Sequence, residues 1–339
     1  MGWVSPQYSR SQVKKAGKVI SRDGAAPQAR RDALEVVGNW KSAHSYPLNA
    51  IVMNLRKWAS DVDADALVAQ RIKRLPSIEA KLRRIPSLSL ASMQDLGGCR
   101  VVLPSLEQVM ALERKCLASR QRHHLVTEDY YIEQPKASGY RSDHLVYEYQ
   151  SDRSPAWSGL TIELQLRTSL QHAWATAVET VGLFTNQALK ASQGEGDWLR
   201  FFVLASSEFA AIEGTARVPG TPDDPAELRR ELTALARELN VVRRLQGYSA
   251  TLKLVQQELN QTDFFLLTLN IDEGRLTVRG YRDLQRAAAD YAEVEGRESG
   301  SIDVVLVKTG SVAALHAAYP NYFFDTTRFI HALQNVLAS

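Results

Sequence analysis

Asp95 and Glu163 are set apart from the other acids by their surroundings. Asp95 precedes the Gly97-Gly98 pair and the apolar run Cys99-Arg100-Val101-Val102-Leu103, and Glu163 lies in the alternating stretch Thr161-Ile-Glu-Leu-Gln-Leu-Arg167. Carboxylates brought to one cleft by sheet strands suit Mg²⁺, a small hard ion that takes a few oxygen ligands and leaves its other positions to water and phosphate. The competing reading pairs each acid with an arginine inside the sheet. Cations stand at informative spacing nearby: Arg71 and Lys73 precede a helix start at Pro76-Ser77, and Lys81 follows Ser77 by one helical turn. With Ser77 as N-cap, free N–H groups, the helix dipole and three cations would cradle a polyphosphate, unless the basic face is merely solvated. A third candidate is the loop Tyr130-Tyr131-Ile-Glu-Gln-Pro-Lys136-Ala-Ser-Gly139-Tyr140-Arg-Ser142-Asp-His144. Gly139 permits a tight turn that would present the Tyr140 ring outward for stacking, with Lys136 and His144 near enough to meet phosphates. The alternative is an ordinary hairpin whose tyrosine packs on the core.

The elements around these residues read as a sheet flanked by helices. Residues 29–60 carry apolar positions at three- and four-residue spacing, which predicts a helical lead-in, and a second helix start is expected near Ser92. Cys99–Leu103 reads as a buried strand followed by a returning helix over Leu106–Ser119, a βα unit. His144–Tyr149 and Thr161–Arg167 read as strands that could pair as a long-looped hairpin, Ile162, Leu164 and Leu166 facing the core. Helices are expected over Leu170–Thr185 and Trp198–Glu213. The Gly- and Pro-containing segment 214–224 marks a boundary, after which Asp224-Pro225-Ala226-Glu227 opens a helix whose leucine stripe runs from Leu228 to Leu245. That stripe fits packing onto the parent domain better than a coiled-coil seam. Strands over Phe264–Ile271, Arg275–Arg279 and Ile302–Lys308, with helices over Leu284–Val294 and Thr326–Leu337, predict a small C-terminal ββαβα module.

At 339 residues, 45% hydrophobic and 23% charged, the chain can bury a full core and is long enough for two domains. The formal charge of +3 fits an anionic ligand but not a polybasic protein. Cys99 and Cys116 have neither zinc spacing nor a C-x-x-C motif, and their scarcity fits a reducing, cytoplasmic setting. The N-terminal 31 residues hold seven Lys and Arg against Asp23, with no apolar segment behind them, so a solvated basic arm is expected, not a secretory signal. No apolar stretch is long enough to span a bilayer, and no membrane partner is expected.

Taken in order, the motifs resemble a known family, the RelA/SpoT-type nucleotide pyrophosphokinases, which synthesise the alarmones pppGpp and ppGpp. The resemblance covers roughly Ala50 to Thr185. It rests on Arg71-x-Lys73-x-x-x-Ser77-Ile78-x-x-Lys81, the Asp95 strand, Tyr131-Ile132-x-x-Pro135-Lys136-x-x-Gly139-Tyr140-x-Ser142-x-His144, and Glu163-Leu-Gln165-Leu-Arg167-Thr168 with His172. The Trp174-Ala175-Thr176 stretch is similar to the small stand-alone synthetases.

The resemblance implies an α+β, nucleotidyltransferase-like mixed sheet flanked by helices. It implies that Arg71, Lys73, Ser77 and Lys81 hold the ATP phosphates and that Asp95 and Glu163 bind Mg²⁺. Tyr140 would stack on the acceptor base, Lys136 and His144 would contact acceptor phosphates with Ser142 in the same motif, and Glu163 would take the proton of the attacking 3′-hydroxyl. The implied reaction moves pyrophosphate from ATP to GDP or GTP.

Some positions depart from the family pattern. Asp129 and Tyr130 stand where a lysine and an aspartate are usual, Ser138 replaces an asparagine, and Asp143 replaces a leucine. The lost lysine and the basic N-terminus lean toward a relative that modifies the tRNA 3′ end as a growth-arresting toxin, while a non-catalytic nucleotide sensor is the reading from another class. No His-Asp pair suggests a hydrolase domain. The expected organisation is a basic arm and helical lead-in over 1–45, the RelA/SpoT-like domain over 46–213, a linker and long helix over 214–262, and an accessory module over 263–339 that regulates the enzyme or meets a protein partner.

Overall fold

The computed structural model describes residues 3–119, 121–188, 195–251, 253–257, 262–270, 272–295, 302–308, 312–320 and 322–338. Three helices open the chain: α1 (Arg10–Ile20), α2 (Pro27–Ala43) and α3 (Ser45–Val62). The basic N-terminus is not the solvated arm that its charge predicts. Among its lysines, Val13, Ala16 and Ile20 recur at helical spacing and are buried against Leu82, Leu90 and Met93 in one apolar cluster. Ser9 and Gln12 close a capping box on α1, and Arg10 Nη2 donates to Gly159 O at 2.6 Å.

The centre is a nine-stranded mixed sheet in the order β3-β4-β5-β2-β1-β9-β7-β8-β6. Its N-terminal strands are β1 (Leu67–Ile72), β2 (Gly97–Leu103), β3 (His124–Tyr130), β4 (Asp143–Glu148) and β5 (Thr161–Thr168). The expected βα unit is present: α5 (Leu106–Ala118) follows β2, which lies parallel to β5. The β4–β5 hairpin is also present, antiparallel with His144 opposite Gln165. Strict alternation sends Cys99, Val101, Leu103, Ile162, Leu164 and Leu166 into one core with residues of α3 and α5. The other face therefore carries Gly98, Arg100, Glu163 and Gln165. The helix start expected near Ser92 is instead a single 3₁₀ turn, Leu90–Ser92, too short to satisfy more than its own backbone.

On the polar side, α6 (Ser169–Ala188) and α7 (Glu195–Glu213) pack with α8 (Pro225–Glu238) and α9 (Val241–Thr251). The long helix expected after Asp224 is broken in two at Asn240, whose φ of 49° is left-handed, a conformation that asparagine tolerates. Leu228, Leu232, Leu239 and Leu245 are still buried together with Trp174, Phe201 and Phe329, so the stripe packs onto its own domain.

The C-terminal elements occur in the predicted ββαβα order as β7 (Phe264–Asn270), β8 (Arg275–Tyr281), α10 (Leu284–Glu295), β9 (Ile302–Lys308) and α12 (Thr327–Ala338). Two elements were not foreseen: β6 (Lys253–Gln257) beside β8, and α11 (Val312–Ala318) between β9 and α12. Instead of forming a small sheet of their own, these strands extend the central sheet, because β9 pairs with β1 through Gln70–Lys308 and Arg71–Val307. No helix among the described residues is long and apolar enough to cross a membrane.

Candidate active site

The site grows from rows of residues across neighbouring strands. Gly98 on β2 faces Arg71 of β1 on one side and Glu163 of β5 on the other. Lacking a side chain, it leaves the floor between them open: a Cβ there would meet nothing nearer than Glu163 O at 4.0 Å. The next row sets Ala69, Arg100, Gln165 and His144 side by side. Asp95 reaches the same cleft because Lys73 N donates to Leu96 O at 2.8 Å, carrying the β1–β2 pairing past the strand ends. Asp95 and Glu163 thus line one cavity with Arg71, Lys73 and Arg100.

Lys73 Nζ and Lys81 Nζ share Asp95 Oδ2 at 2.8 and 2.9 Å, while buried Asp95 Oδ1 has no hydrogen-bond partner among the described residues. Burial alone would raise the Asp95 pKa; the two ammonium groups outweigh it and hold the carboxyl below its ordinary value. Burial lowers the Lys73 pKa, with Arg71 and Lys81 adding to the effect against the pull of Asp95. Burial likewise acts to raise the Glu163 pKa, but the His144 Nδ1 contact to Glu163 Oε1, 3.1 Å, and Gln165 Nε2 donating to Oε2, 2.7 Å, keep it low. Both acids are held ionised.

Sequence reasoning missed Arg100 and the weight of Arg167. Burial lowers the pKa of Arg167, 2% exposed, to about 9, with Arg100 the next cause. Its Nη2 donates to His172 Nδ1 at 2.7 Å, and the Nε atoms of both arginines have no partner among the described residues. Positive charge therefore exceeds negative charge in the cleft, an arrangement that an incoming polyanion would relieve. The signal for Arg100 was its place two residues beyond Gly98 on the same strand face.

Arg71 lies on strand β1 and, with Lys73, precedes the next helix as expected. Several expected site residues take other places. Ser77 is not the N-cap of α4 (Leu75–Arg84), because the helix starts one turn earlier with Arg74 in the cap position; Ser77 keeps its place one turn from Lys81. Ser142 is fully buried and donates to Leu166 O at 3.1 Å, so it fixes the loop to β5 and does not face the cleft. Gly139 does make the tight turn, with φ of 88°. Tyr140 nevertheless does not project freely: it is half-buried, edge-on to Tyr131, with its hydroxyl 2.9 Å from His144 Nε2. Exposed Lys136 sits over the Tyr131 ring at 4.0 Å and the Tyr140 ring at 5.5 Å, leaving a cationic aromatic ledge beside Glu163. Asp143, one of the departures from the family pattern, is buried and accepts from Ile132 N at 3.0 Å, which clamps the start of this loop.

The C-terminal segment lies on the cleft. Arg100 Nη1 donates to Ala318 O at 3.3 Å, His172 Nε2 meets Ala317 O at 3.1 Å, and buried Tyr319 completes the lining. The cavity that Tyr319 encloses with Asp95, Arg100 and Glu163 measures about 40 Å³. Arg74 Nη1 further donates to Tyr322 Oη at 3.0 Å and pairs with Asp303.

Residues 70–184 match the family described as the region found in RelA / SpoT proteins. The chain is similar to GTP pyrophosphokinase YjbM of Bacillus subtilis, 31% identical over 127 residues that make up 37% of this chain and 60% of that relative. It is also similar to an uncharacterized protein of Mycobacterium tuberculosis, 28% identical over 178 residues, 51% of this chain and 59% of the relative. The chain thus spans about 60% of the length of the curated relatives that it matches. Among solved structures, small alarmone synthetase 2 from Bacillus subtilis aligns with a TM-score of 0.43 at 19% identity, covering 50% of this chain and 90% of that one. The match to the region found in RelA / SpoT proteins thus covers the segment that carries Arg71, Asp95 and Glu163.

Proposed function

We propose that the chain is an ATP-dependent nucleotide pyrophosphokinase that makes (p)ppGpp-type products from GDP or GTP. The observation that carries this reading is the convergence of Asp95 and Glu163 on one face of a cleft walled by Arg71, Lys73 and Arg100. In the proposed reaction the acceptor 3′-oxygen attacks the β-phosphorus of ATP, the bond from that phosphorus to the α–β bridging oxygen breaks, and AMP leaves. The hydroxyl proton passes to Glu163, which His144 orients from 3.1 Å. Lys73 and Lys81 would exchange Asp95 for the ATP phosphates, with Ser77 and Arg71 beside them. Lys136 and His144 would meet the acceptor's phosphates and the Tyr140 ledge its base. Such transfer depends on positioning and charge neutralisation more than on covalent chemistry.

Mg²⁺ fits the donor set: two ionised carboxylates, one with a buried oxygen lacking any partner among the described residues. Asp95 and Glu163 would hold the ion, which would supply further neutralisation of phosphate charge.

Tyr319 and the end of α11 narrow the part of the cleft beside Asp95 and Glu163 to about 40 Å³, and in this reading they move aside when ATP binds. The test incubates labelled ATP with the full chain and with Tyr319→Ala, adding GDP, GTP or deacylated tRNA in turn. AMP release with a guanine nucleotide supports the reading; release with no acceptor in either protein overturns it in favour of a nucleotide sensor. A second acceptor, the tRNA 3′ end, is favoured by Asp129 standing where the family's loop carries a lysine. Labelling of tRNA that fades steeply with salt would identify it.

A further inference from the structure

A larger cavity, about 360 Å³, lies away from the cleft floor between α2 and α3 on one side and α10 with β9 on the other. That volume falls in the range of small-molecule sites. Its walls are apolar, including Leu48, Ile72, Phe264, Leu284, Ala288 and Leu306. Polar groups converge at a few points. Lys41, buried by the fold, sits 2.6 Å from Glu295 Oε2, and Lys308 Nζ donates to Asn49 Oδ1 at 3.1 Å. Of the ionised side chains lining the cavity, Lys41, Arg282 and Lys308 outnumber Asp283 and Glu295, the Arg71 guanidinium facing the other cleft. Burial first, and then the charge of Arg56, push the Lys308 ammonium pKa down against the pull of Asp263.

An apolar chamber of this size with an excess of cations at its edge suits one kind of occupant. We infer that the cavity between α2–α3 and α10–β9 binds a small apolar molecule carrying a single anionic group, of the aromatic or medium-chain acyl acid class. The anion pairs with Lys308, and the apolar body fills the space against Ala288 and Leu284. Neither wall forms the site alone, since Lys41 and Asn49 precede the RelA/SpoT segment and Tyr291 and Lys308 follow it. Glu295 at one end also accepts from Leu75 N at 2.6 Å, so an occupant borders the start of the helix that carries Ser77 and Lys81. A ligand requiring both walls stabilises their docked arrangement.

The experiment titrates the full chain with 1-anilinonaphthalene-8-sulfonate, followed by fluorescence, and displaces it with decanoate or with neutral decanol. A single saturable site is expected, with a rise in Tm on addition of decanoate. Ala288→Trp, which fills the chamber, and Ala292→Phe as a second filling variant should each weaken binding by about ten-fold or more, with circular dichroism unchanged. Lys308→Met should weaken decanoate by about ten-fold and leave decanol unchanged. Binding that is equal in wild type and both filling variants, or displacement by decanoate that ignores Lys308→Met, overturns the inference. The readout is binding, so its outcome is separate from that of the pyrophosphokinase reading. An acyl chain and an aromatic ring are told apart by whether decanoate or the sulfonate dye holds the site more tightly.

Discussion

Arg100 Nη1 donates to the carbonyl oxygen of Ala318 at 3.3 Å, which ties the floor of the cleft to the end of α11 and the turn after it. His172 reinforces the tie: Arg167 donates to its Nδ1, so the ring carries its proton on Nε2 and donates that proton to Ala317 O. Burial first, and then the charges of Arg167 and Arg100, hold the His172 pKa well below the ordinary value, so this hydrogen-bond arrangement persists across neutral pH.

Tyr319 is the side chain that the turn places in the cleft. Tyr319→Ala should raise ATP affinity by about ten-fold or more, at a stability cost of about 3 kcal/mol for the emptied volume. Calorimetric titration with ATP checks the first and urea unfolding the second. An unchanged Kd would mean that the turn does not govern entry.

Glu163→Gln keeps the size of the side chain and removes its charge. Transfer should fall by about 10²- to 10⁴-fold with the fold intact, as expected for loss of a general base. Because His144 helps to hold the Glu163 carboxyl below the usual range, the acid limb of the wild-type rate should also lie below the ordinary glutamate value. AMP release measured across pH for both proteins tests this, and undiminished turnover in the variant removes Glu163 from the proposed chemistry.

His44 is 1% exposed, and its Nδ1 lies 2.7 Å from Trp40 O. Burial lowers its pKa from 6.5 to about 4, so the native state keeps it neutral while the unfolded chain takes up a proton. Its contribution to stability is therefore complete above pH 6.5 and disappears as pH falls toward 4; it amounts to at most about 3 kcal/mol. His44→Asn retains a donor for Trp40 O without titrating, so urea midpoints between pH 7.5 and 4.5 should fall less in the variant than in wild type. Parallel slopes would assign the acid sensitivity to other groups.

Gly139 has a left-handed φ, and a Cβ added there would lie 3.0 Å from Trp174 Cζ2 and 3.1 Å from Ser206 Cβ. Gly139→Ala should cost about 2 kcal/mol and disturb the ledge formed by Lys136 and Tyr140. Thermal unfolding reads the cost, and the acceptor's KM should rise while that of ATP stays near wild type.

Strand β2 was readable as a short apolar run behind a glycine pair, and β5 because its period of two is unbroken. β1 was not, since Leu67-Val-Ala-Gln-Arg-Ile72 is half-buried on both faces and shows no alternation. Helix α1 was hidden for a different reason: its narrow apolar stripe is outnumbered by charge. Asp95, Glu163, Lys73 and Lys81 were recognisable by type and motif, and the fold brings them to one cleft. The cover was not recognisable, because Tyr319 meets Arg71 and Arg100 across more than half the chain and a lone tyrosine has no period to read. Ser142 shows the reverse error, a motif position whose role is internal bonding.

The seam between β1 and β9 has a mechanical consequence. Among the described residues its register runs through Gln70 and Arg71. Arg71 belongs to the join and to the cleft at once, so a tug on the far strands would arrive at the candidate site with no intermediary.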